Sequence, residues 1–213
     1  LFLLICEKWL KCIFLKDKRS GSVNKKKFGA LLVGISLMIA GCGGGGASDT
    51  IKIGANLEMT GGSASFGASA TNAAQLAINE YNTKGGFKGK KVELVIADNK
   101  SEAAESASAM QKLVQDKVVA VIAPIASSSV IAGAQINQDS KVLAISPTAS
   151  NPKVTVDEKG KVRPYLFRAS FIDPFQGSVM AAFATKSLKA KTAAIYIDNS
   201  SDYAKGLAKY FEE

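Results

Sequence analysis

Residues 118–129 read VVAVIAPIASSS, an apolar run that ends in a proline and a block of serines. An apolar run without polar alternation predicts a strand that is buried on both faces of a parallel sheet. The serines predict the turn into a helix that begins at Ser127 or Ser128. Such turns lie at the carboxyl edge of an open α/β sheet, where ligands bind, and the first N–H groups of a helix attract anions. We therefore expect this turn to hold the carboxylate of a small solute.

Strand and helix patterns alternate on both sides of this run. The other predicted strands are 51–57, 90–98, 141–146, 165–170 and 191–198. The predicted helices are 68–84, 102–117, 128–138, 174–188 and 201–213, and residues 154–161 are expected to form an exposed loop or hairpin. Alternation at this spacing predicts right-handed βαβ units and a parallel sheet that is covered on both faces. The expected fold class is α/β, a doubly wound parallel sheet followed by the start of a second, similar lobe.

The first 42 residues differ in composition from the rest of the chain. Residues 23–42, VNKKKFGALLVGISLMIAGC, have the basic start, apolar run and small residues of a bacterial signal peptide. The final IAGC resembles the lipobox of bacterial lipoproteins, in which Cys42 would receive a diacylglyceryl group and become the mature N-terminus. A single transmembrane anchor is the alternative, although the apolar run is shorter than the roughly 20 residues that span a bilayer. Residues 1–22, which contain no methionine, are expected not to belong to the native protein.

The remaining residues divide into four predicted segments. The glycine-rich residues 43–50 predict a flexible tether between a lipid anchor and an extracytoplasmic globular part. The globular part is expected to comprise a first lobe at 51–170, a crossover helix region at 171–190 and the start of a second lobe at 191–213. On this interpretation the chain is truncated soon after it enters the second lobe.

Charge and residue usage argue against several classes of function. The formal charge of +9 is concentrated in residues 1–42, which carry eight Lys and Arg against two Asp and Glu, so nucleic-acid binding is not expected. The chain has no histidine and its three cysteines all lie in residues 1–42, which argues against Ser-His-Asp catalysis and Cys or His metal sites beyond them. We expect no cofactor, no metal and no enzyme activity. A Ser-Lys hydrolase is the enzyme alternative, with Lys141 and Lys153 nearest in sequence to the serines.

A second hydroxyl-rich turn, SPTAS at residues 146–150, follows the next predicted strand. Adjacent strands place their carboxyl-end loops side by side, so both turns are expected to converge on one ligand. The alternative for the serines at 127–129 is helix capping. The glycine-rich loop at 58–67 lacks the spacing of a dinucleotide or phosphate-binding loop, and we expect it to place Ser65 and Phe66 over a cleft.

Five segments carry a family resemblance: TGGSASFG, AINEYNTKGGFKGKKVELVIAD, VIAPIASSS, ISPTAS and YIDNSSDYAKGLA. From about residue 51 onward the chain resembles the extracytoplasmic substrate-binding proteins of branched-chain amino acid ABC transporters. These form the leucine/isoleucine/valine-binding family with the type I periplasmic-binding-protein fold. The resemblance implies two lobes that close on an amino acid by a hinge motion, with delivery to ABC permease subunits in the membrane and a monomeric state. The same fold as a ligand sensor, or as a binding protein for amides, urea or aromatic acids, stays open.

The resemblance also implies roles for residues in the two hydroxyl-rich turns. Ser127 is implied to bind the ligand carboxylate, with Ile125 and Ala126 contributing cleft wall and backbone. Thr148 and Ser150 are implied to supply a backbone contact and a hydroxyl group. A zwitterion needs donors at one end and acceptors at the other, and an apolar wall would favour an aliphatic side chain.

Two aromatic residues, Phe66 and Tyr203, are implied to complete the cleft. Phe66 stands where well-known members carry tyrosine, and Ala126 stands where some carry a larger residue, so the accepted side chain is expected to differ. The acid that meets the ligand's ammonium group is expected beyond Glu213. Asp202 is instead expected to be an acid at the start of a helix.

Overall fold

The computed structural model describes residues 50–213. The predictions for the extension at 1–22, for the signal peptide and lipobox at 23–42 with Cys42, and for the tether up to residue 49 lie outside the described residues. Between residues 50 and 213, the helices are all too short or too polar to cross a membrane.

Five parallel strands form one sheet in the order β2-β1-β3-β4-β5. The strands are β1 (Thr50–Leu57), β2 (Lys91–Asp98), β3 (Ala120–Ile122), β4 (Leu143–Ser146) and β5 (Leu166–Arg168). The chain adds β2 on one side of β1 and β3 on the other, where Ala55 pairs with Ile122. The connections that follow β1 and β3 therefore run in opposite directions, which makes a topological switch point between these two strands. Open α/β sheets bind ligands at such points.

Helices follow the strands in the predicted alternation. They are α1 (Ala64–Thr83), α2 (Ala103–Gln115), α3 (Ser127–Ser140), α4 (Asp173–Ala182) and α5 (Asp202–Glu212). A 3₁₀ turn covers Pro152–Val154, and α4 continues into a π-helical turn at Phe183–Ser187. Because βαβ connections are right-handed, the reversal of direction at β1 places α1 on one face of the sheet and α2 and α3 on the other. The helix expected to begin at Ser127 or Ser128 begins at Ser127.

The main hydrophobic core lies between the sheet and the helices α2 and α3. Leu113 of α2, Val121 of β3 and Val130 of α3 are each at most 2% exposed. Burying a side chain of this size contributes about 1.5–3 kcal/mol to stability. A Cβ added at Gly54 would lie 3.1 Å from both Leu113 and Val121, so the glycine lets α2 approach β1 closely.

The opposite face of the sheet is covered over β1 and β2 by α1. Beyond α1, Leu143 and Ile145 of β4 are 44% and 41% exposed, and Phe167, which pairs with Ile145, is 48% exposed. The sequence predicted helices over both faces of the sheet. Within residues 50–213, the part of this face formed by β4 and β5 is not covered by a helix.

The strand predicted at residues 191–198 is wrong. No strand pairing is formed there within the described part of the chain, and Ile195 and Tyr196 are 41% and 102% exposed. A strand is stable only when neighbouring strands accept and donate its backbone hydrogen bonds, and the five strands of the sheet lie elsewhere. The apolar run alone could not reveal whether a partner was present.

Candidate functional site: a hydroxyl-lined cleft

A cleft of about 450 Å³ lies where the carboxyl edge of the sheet faces α5. The seven residues predicted to contact a ligand all line it: Phe66, Ile125, Ala126, Ser127, Thr148, Ser150 and Tyr203. Four lining residues were not predicted: Ser63, Phe171, Gln176 and Ser201. The structure therefore brings both hydroxyl-rich turns, the start of α1 and the start of α5 to one place.

The buried carboxylate of Glu58 fixes the backbone of the first turn. Glu58 directly follows β1, and its side chain has no exposed surface. Its carboxylate accepts hydrogen bonds from the N–H groups of Ile125 at 3.2 Å and Ala126 at 3.1 Å. A Cβ at Gly67 would collide with the carbonyl oxygen of Glu58, so only glycine lets α1 lie this close. This contact places Phe66 at the cleft. Glu58 was not predicted as a site residue, although its signal in the sequence was an acid directly after a buried strand.

The three serines at the start of α3 serve three different contacts. The Ser127 hydroxyl accepts from the N–H of Asn151 at 3.3 Å, and the Ser128 hydroxyl accepts from the N–H of Asp202 at 2.9 Å. Ser129 is buried, and its carbonyl accepts from the Ser106 hydroxyl at 2.8 Å. The helix-capping alternative does not hold, because the N-cap is the residue before the serines, an alanine with no side-chain hydrogen bond.

The second turn is bonded directly to the first. Ser146 donates through its hydroxyl to the carbonyl of Pro124 at 2.8 Å and accepts from the N–H of Ala149 at 3.0 Å. Thr148 donates through its hydroxyl to the carbonyl of Ile125 at 2.9 Å. The expected convergence of the two turns is therefore present in the structure.

The hydroxyl groups of the cleft differ in whether they remain available to donate or to accept a hydrogen bond. A hydroxyl has one hydrogen to donate and two lone pairs to accept with. Ser127 accepts from a backbone N–H, and Tyr203 accepts from Gln176 Nε2 at 3.0 Å, so each keeps its hydrogen for another partner. Thr148 and Ser150 use their hydrogens for acceptors in the protein, so each keeps lone pairs. The cleft thus has donor hydroxyls and acceptor hydroxyls.

Ser150 is bonded to a second buried acid. Its hydroxyl donates to Asp173 Oδ1 at 2.6 Å, and Asp173 at the start of α4 has no exposed surface. Within residues 50–213, the other carboxylate oxygen of Asp173 has no hydrogen-bond partner. Burial raises the pKa of Asp173, while the Ser150 hydrogen bond and the nearby charge of Arg168 act in the opposite direction.

Arg168, at the end of β5, holds the segment that follows the second turn. Its guanidinium donates to the carbonyls of Ala149, Asn151 and Pro152 at 3.3, 2.9 and 3.3 Å. It also donates to the Thr155 hydroxyl at 2.6 Å. Burial lowers the pKa of Arg168 and the nearby carboxylate of α4 raises it. Neither Arg168 nor Asp173 was predicted as a site residue, since neither lies in a recognisable local pattern.

The glycine-rich loop between β1 and α1 is fixed by Asp98. Its carboxylate accepts from the N–H groups of Met59 and Thr60 at 3.0 and 3.1 Å, and from the Thr60 hydroxyl at 2.7 Å. The prediction that Ser65 lies over the cleft is wrong. Ser65 is in the first turn of α1, because the helix begins at residue 64 rather than 68, and Ser63 lines the cleft in its place.

The acid Asp202 lies in the first turn of α5, as predicted, and pairs with Lys205 at 3.3 Å. It lines a neighbouring pocket together with Lys153, whereas Lys141 lies at the opposite end of α3 from Ser127. Neither lysine of the Ser-Lys alternative is among the residues that line the cleft. Between residues 50 and 213, no group of three or more Asp or Glu side chains could hold a metal ion.

Comparison with known proteins gives a consistent family. The family of periplasmic binding proteins matches residues 50–213. The Leu/Ile/Val-binding protein BraC3 of Rhizobium johnstonii is 35% identical over 162 residues, which cover 76% of this chain and 43% of that protein. The solved structure of the branched-chain amino acid transporter substrate binding protein LivJ from Streptococcus pneumoniae, in complex with isoleucine, is 44% identical with a TM-score of 0.70. The match covers 76% of this chain and 46% of that one.

A more distant structure shares the fold with a different ligand. The solute binding protein of an ABC transporter from Rhodopseudomonas palustris, in complex with 3,4-dihydroxy benzoic acid, is 25% identical with a TM-score of 0.63. The match covers 77% of this chain and 43% of that one. The chain thus spans less than half the length of each of these relatives. The structural matches confirm the α/β, doubly wound fold class predicted from the sequence.

Proposed function

The chain belongs to the periplasmic binding protein family, and from this premise we propose that it is the amino-acid-binding component of an ABC importer. The observation that carries the proposal is the division of the cleft into donor and acceptor hydroxyls. A zwitterionic amino acid needs this arrangement, because its carboxylate only accepts hydrogen bonds and its ammonium group only donates them.

In this proposal the donor side binds the carboxylate. Ser127 and Tyr203 offer their hydroxyl hydrogens, and the first N–H groups of α3 add the partial positive charge of a helix start. Ala126 brings only a methyl group to this helix start, so the carboxylate can approach the backbone.

The acceptor side binds the ammonium group. Thr148 and Ser150 lie on the second turn and present lone pairs to the cleft. We propose, as the family resemblance implies, that an acidic residue of the second lobe completes this site when the lobes close.

The remaining cleft wall is apolar and suits an aliphatic side chain. Phe66, Ile125 and Phe171 line it, and both phenylalanines are more than half exposed. Covering them with a leucine-sized side chain contributes about 1.5–3 kcal/mol to binding.

The proposed placement in the cell follows the family. The family is periplasmic by description, which indicates an extracytoplasmic location. We propose that Cys42 carries a lipid anchor, that residues 51–170 form the first lobe, and that the closed, loaded protein binds the permease as a monomer.

An aromatic acid is the second candidate ligand. The relative from Rhodopseudomonas palustris is described in complex with a dihydroxybenzoic acid, and two phenylalanines already line the cleft of this chain. In such a ligand the phenol hydroxyls would donate to Thr148 and Ser150 in place of an ammonium group. A sensor of such a ligand would use the same site.

Calorimetric titration of the full-length protein with leucine, isoleucine, valine, alanine and 3,4-dihydroxybenzoate tests the proposal. We expect Ser127→Ala to weaken aliphatic amino acid binding by about 10-fold or more, because a hydrogen bond to a charged group is lost. Ser108→Ala, an exposed serine of α2, is the matched control and should bind like the wild type. Binding of the aromatic acid alone would replace amino acid transport with the second candidate.

A further inference from the structure

We propose that Asp173 is a positioning residue for the ligand: it turns the Ser150 hydroxyl into an acceptor and supplies buried negative charge to the ligand's ammonium group. This inference rests on the proposed amino acid binding. It assigns part of ammonium recognition to Ser150 of the first lobe and to Asp173 of the crossover helix region, in addition to any acid in the second lobe.

Two hydrogen bonds fix Ser150 against the start of α4. The Ser150 hydroxyl donates to Asp173 Oδ1 at 2.6 Å, and the Asp173 N–H donates to the Ser150 carbonyl at 3.1 Å. Such a short bond to a carboxylate is charge-assisted and commits the single hydrogen of the hydroxyl. Ser150 lines the cleft, so the groups that remain for a ligand are its lone pairs.

The charge of Asp173 is only partly compensated within the protein. It has no exposed surface, and its Oδ2 has no hydrogen-bond partner among residues 50–213. Arg168 is the cation whose charge acts on it, yet the guanidinium hydrogens that form bonds point at carbonyl and hydroxyl oxygens of residues 149–155. Charges interact more strongly away from water, so an ammonium group on Ser150 would gain from this buried carboxylate.

The backbone of α5 lies close to the second carboxylate oxygen of Asp173. A Cβ added at Gly206 of α5 would lie 2.7 Å from Asp173 Oδ2 and 2.7 Å from Asn151 Nδ2. The α5 backbone therefore closes over the second carboxylate oxygen. The side of Asp173 that communicates with the cleft is the side bonded to Ser150.

A purely structural role for Asp173 would predict a different result. An acid in the first turn of a helix stabilises that helix whatever ligand is present. Removing such a stabilising charge would affect all ligands alike. The proposed role instead predicts a loss that is confined to ligands with an ammonium group.

The experiment compares leucine with 4-methylpentanoate, which has the same carboxylate and side chain but no ammonium group. Both are titrated against the full-length wild type, Asp173→Asn and Ser150→Ala, with ligand-observed NMR for the weaker binder. We expect each variant to lose about 10- to 100-fold in leucine affinity and to bind 4-methylpentanoate within about twofold of the wild type. Asparagine keeps the shape of the side chain, removes its charge, and can donate to the hydroxyl.

Asp139→Asn, an exposed acid on α3, is the matched control and should change neither affinity. Ser127→Ala should weaken both ligands together, because it acts on the carboxylate. An equal loss of both ligands in Asp173→Asn, or unchanged leucine binding, would overturn the role of Asp173 and leave the proposed function intact. If Asp173→Asn does not fold, the same two ligands are compared on Ser150→Ala. A loss confined to leucine supports the proposal, and an equal loss of both ligands contradicts it. A wild type that binds no amino acid would overturn both proposals.

Discussion

The N–H of Asp202 donates to the Ser128 hydroxyl at 2.9 Å and so joins the start of α5 to the first turn of α3. The carbonyl of Asp202 accepts from Asn151 Nδ2 at 2.7 Å on the other side. These two bonds connect the element that carries Tyr203 to the first turn, which carries Ser127, and to the residue directly after the second turn, which carries Thr148 and Ser150. The alignment of the cleft walls therefore depends on residues that do not line it.

Ser128→Ala should loosen this connection. The variant leaves the Asp202 N–H without its acceptor, which costs about 1 kcal/mol for a partly buried bond. We expect faster hydrogen exchange of the α5 amides with little change in the amides of α2. Ser108→Ala serves as the control, and equal α5 exchange in both variants would show that the bond does not hold the helix.

Gly206→Ala should destabilise the protein although alanine is the better helix former. The added Cβ would lie 2.7 Å from both Asn151 Nδ2 and Asp173 Oδ2, so α5 would have to move away. Gly133→Ala on α3 is the matched control, because its Cβ would meet Met110 at an ordinary 3.5 Å. We expect urea unfolding to show a loss for Gly206→Ala and a gain of up to about 1 kcal/mol for Gly133→Ala. A gain in both would contradict the close packing of α5.

Glu58→Gln should weaken both folding and ligand binding. The amide has one accepting oxygen where the carboxylate has two, so the N–H groups of Ile125 and Ala126 lose part of their acceptor. We expect a loss of about 1–3 kcal/mol in the free energy of unfolding, with weaker ligand affinity at temperatures where the variant is folded. The same substitution at Glu93, an exposed residue of β2, should have neither effect.

We expect Asp98 to make the free energy of unfolding depend on pH in the acidic range. Burial by itself would raise its pKa, but the Thr60 hydroxyl and three backbone N–H groups together hold the pKa below its ordinary value of 3.8. The folded state thus binds this proton less readily than the unfolded state. Its contribution to stability is present above pH 3.8 and is lost as the pH falls through the lower pKa of the folded state.

Unfolding by urea at pH values from neutral down to about 2 tests this. Asp98→Asn should be less stable than the wild type at neutral pH, and the two should converge in acid. Asp139→Asn is again the control. A constant difference between wild type and Asp98→Asn across the whole range would exclude a titrating contribution.

We expect Asp173 to change the free energy of unfolding with pH in the opposite direction to Asp98. Burial raises its pKa above 3.8, so the folded state holds the proton more tightly than the unfolded state. The wild type should therefore lose stability as the pH rises from 3.8 to the folded-state pKa, and Asp173→Asn should lack this loss. Urea unfolding of the ligand-free protein across this window measures it, and identical pH profiles would contradict it.

Local patterns were sufficient to predict the turn after β3 and its partner after β4. The apolar run, the proline and the serines are contiguous, and parallel neighbours must place their following loops together. Six of the seven residues assigned by resemblance follow β1, β3 or β4 and lie in one cleft for the same reason, whereas Tyr203 reaches the cleft on α5.

The buried acids could not be predicted in this way. Glu58 bonds to residues 67 and 68 positions away, and Ser150 bonds to Asp173 at a separation of 23. No spacing in the sequence predicts such contacts, because they depend on the order of the strands in the sheet. The wrong strand at 191–198 has the same origin, since an apolar run does not say whether a pairing partner exists.

The serines at 127–129 show why residue roles cannot be transferred by identity alone. Consecutive residues of a helix project about 100° apart, so three chemically identical neighbours face three different surroundings. Ser127 lines the cleft, the Ser128 hydroxyl accepts from the N–H of Asp202 in α5, and Ser129 is buried with its backbone carbonyl bonded to Ser106 of α2. An alignment that slips by a single position within this triplet would still pair serine with serine at two of the three positions, and would assign the ligand contact to a serine that faces elsewhere.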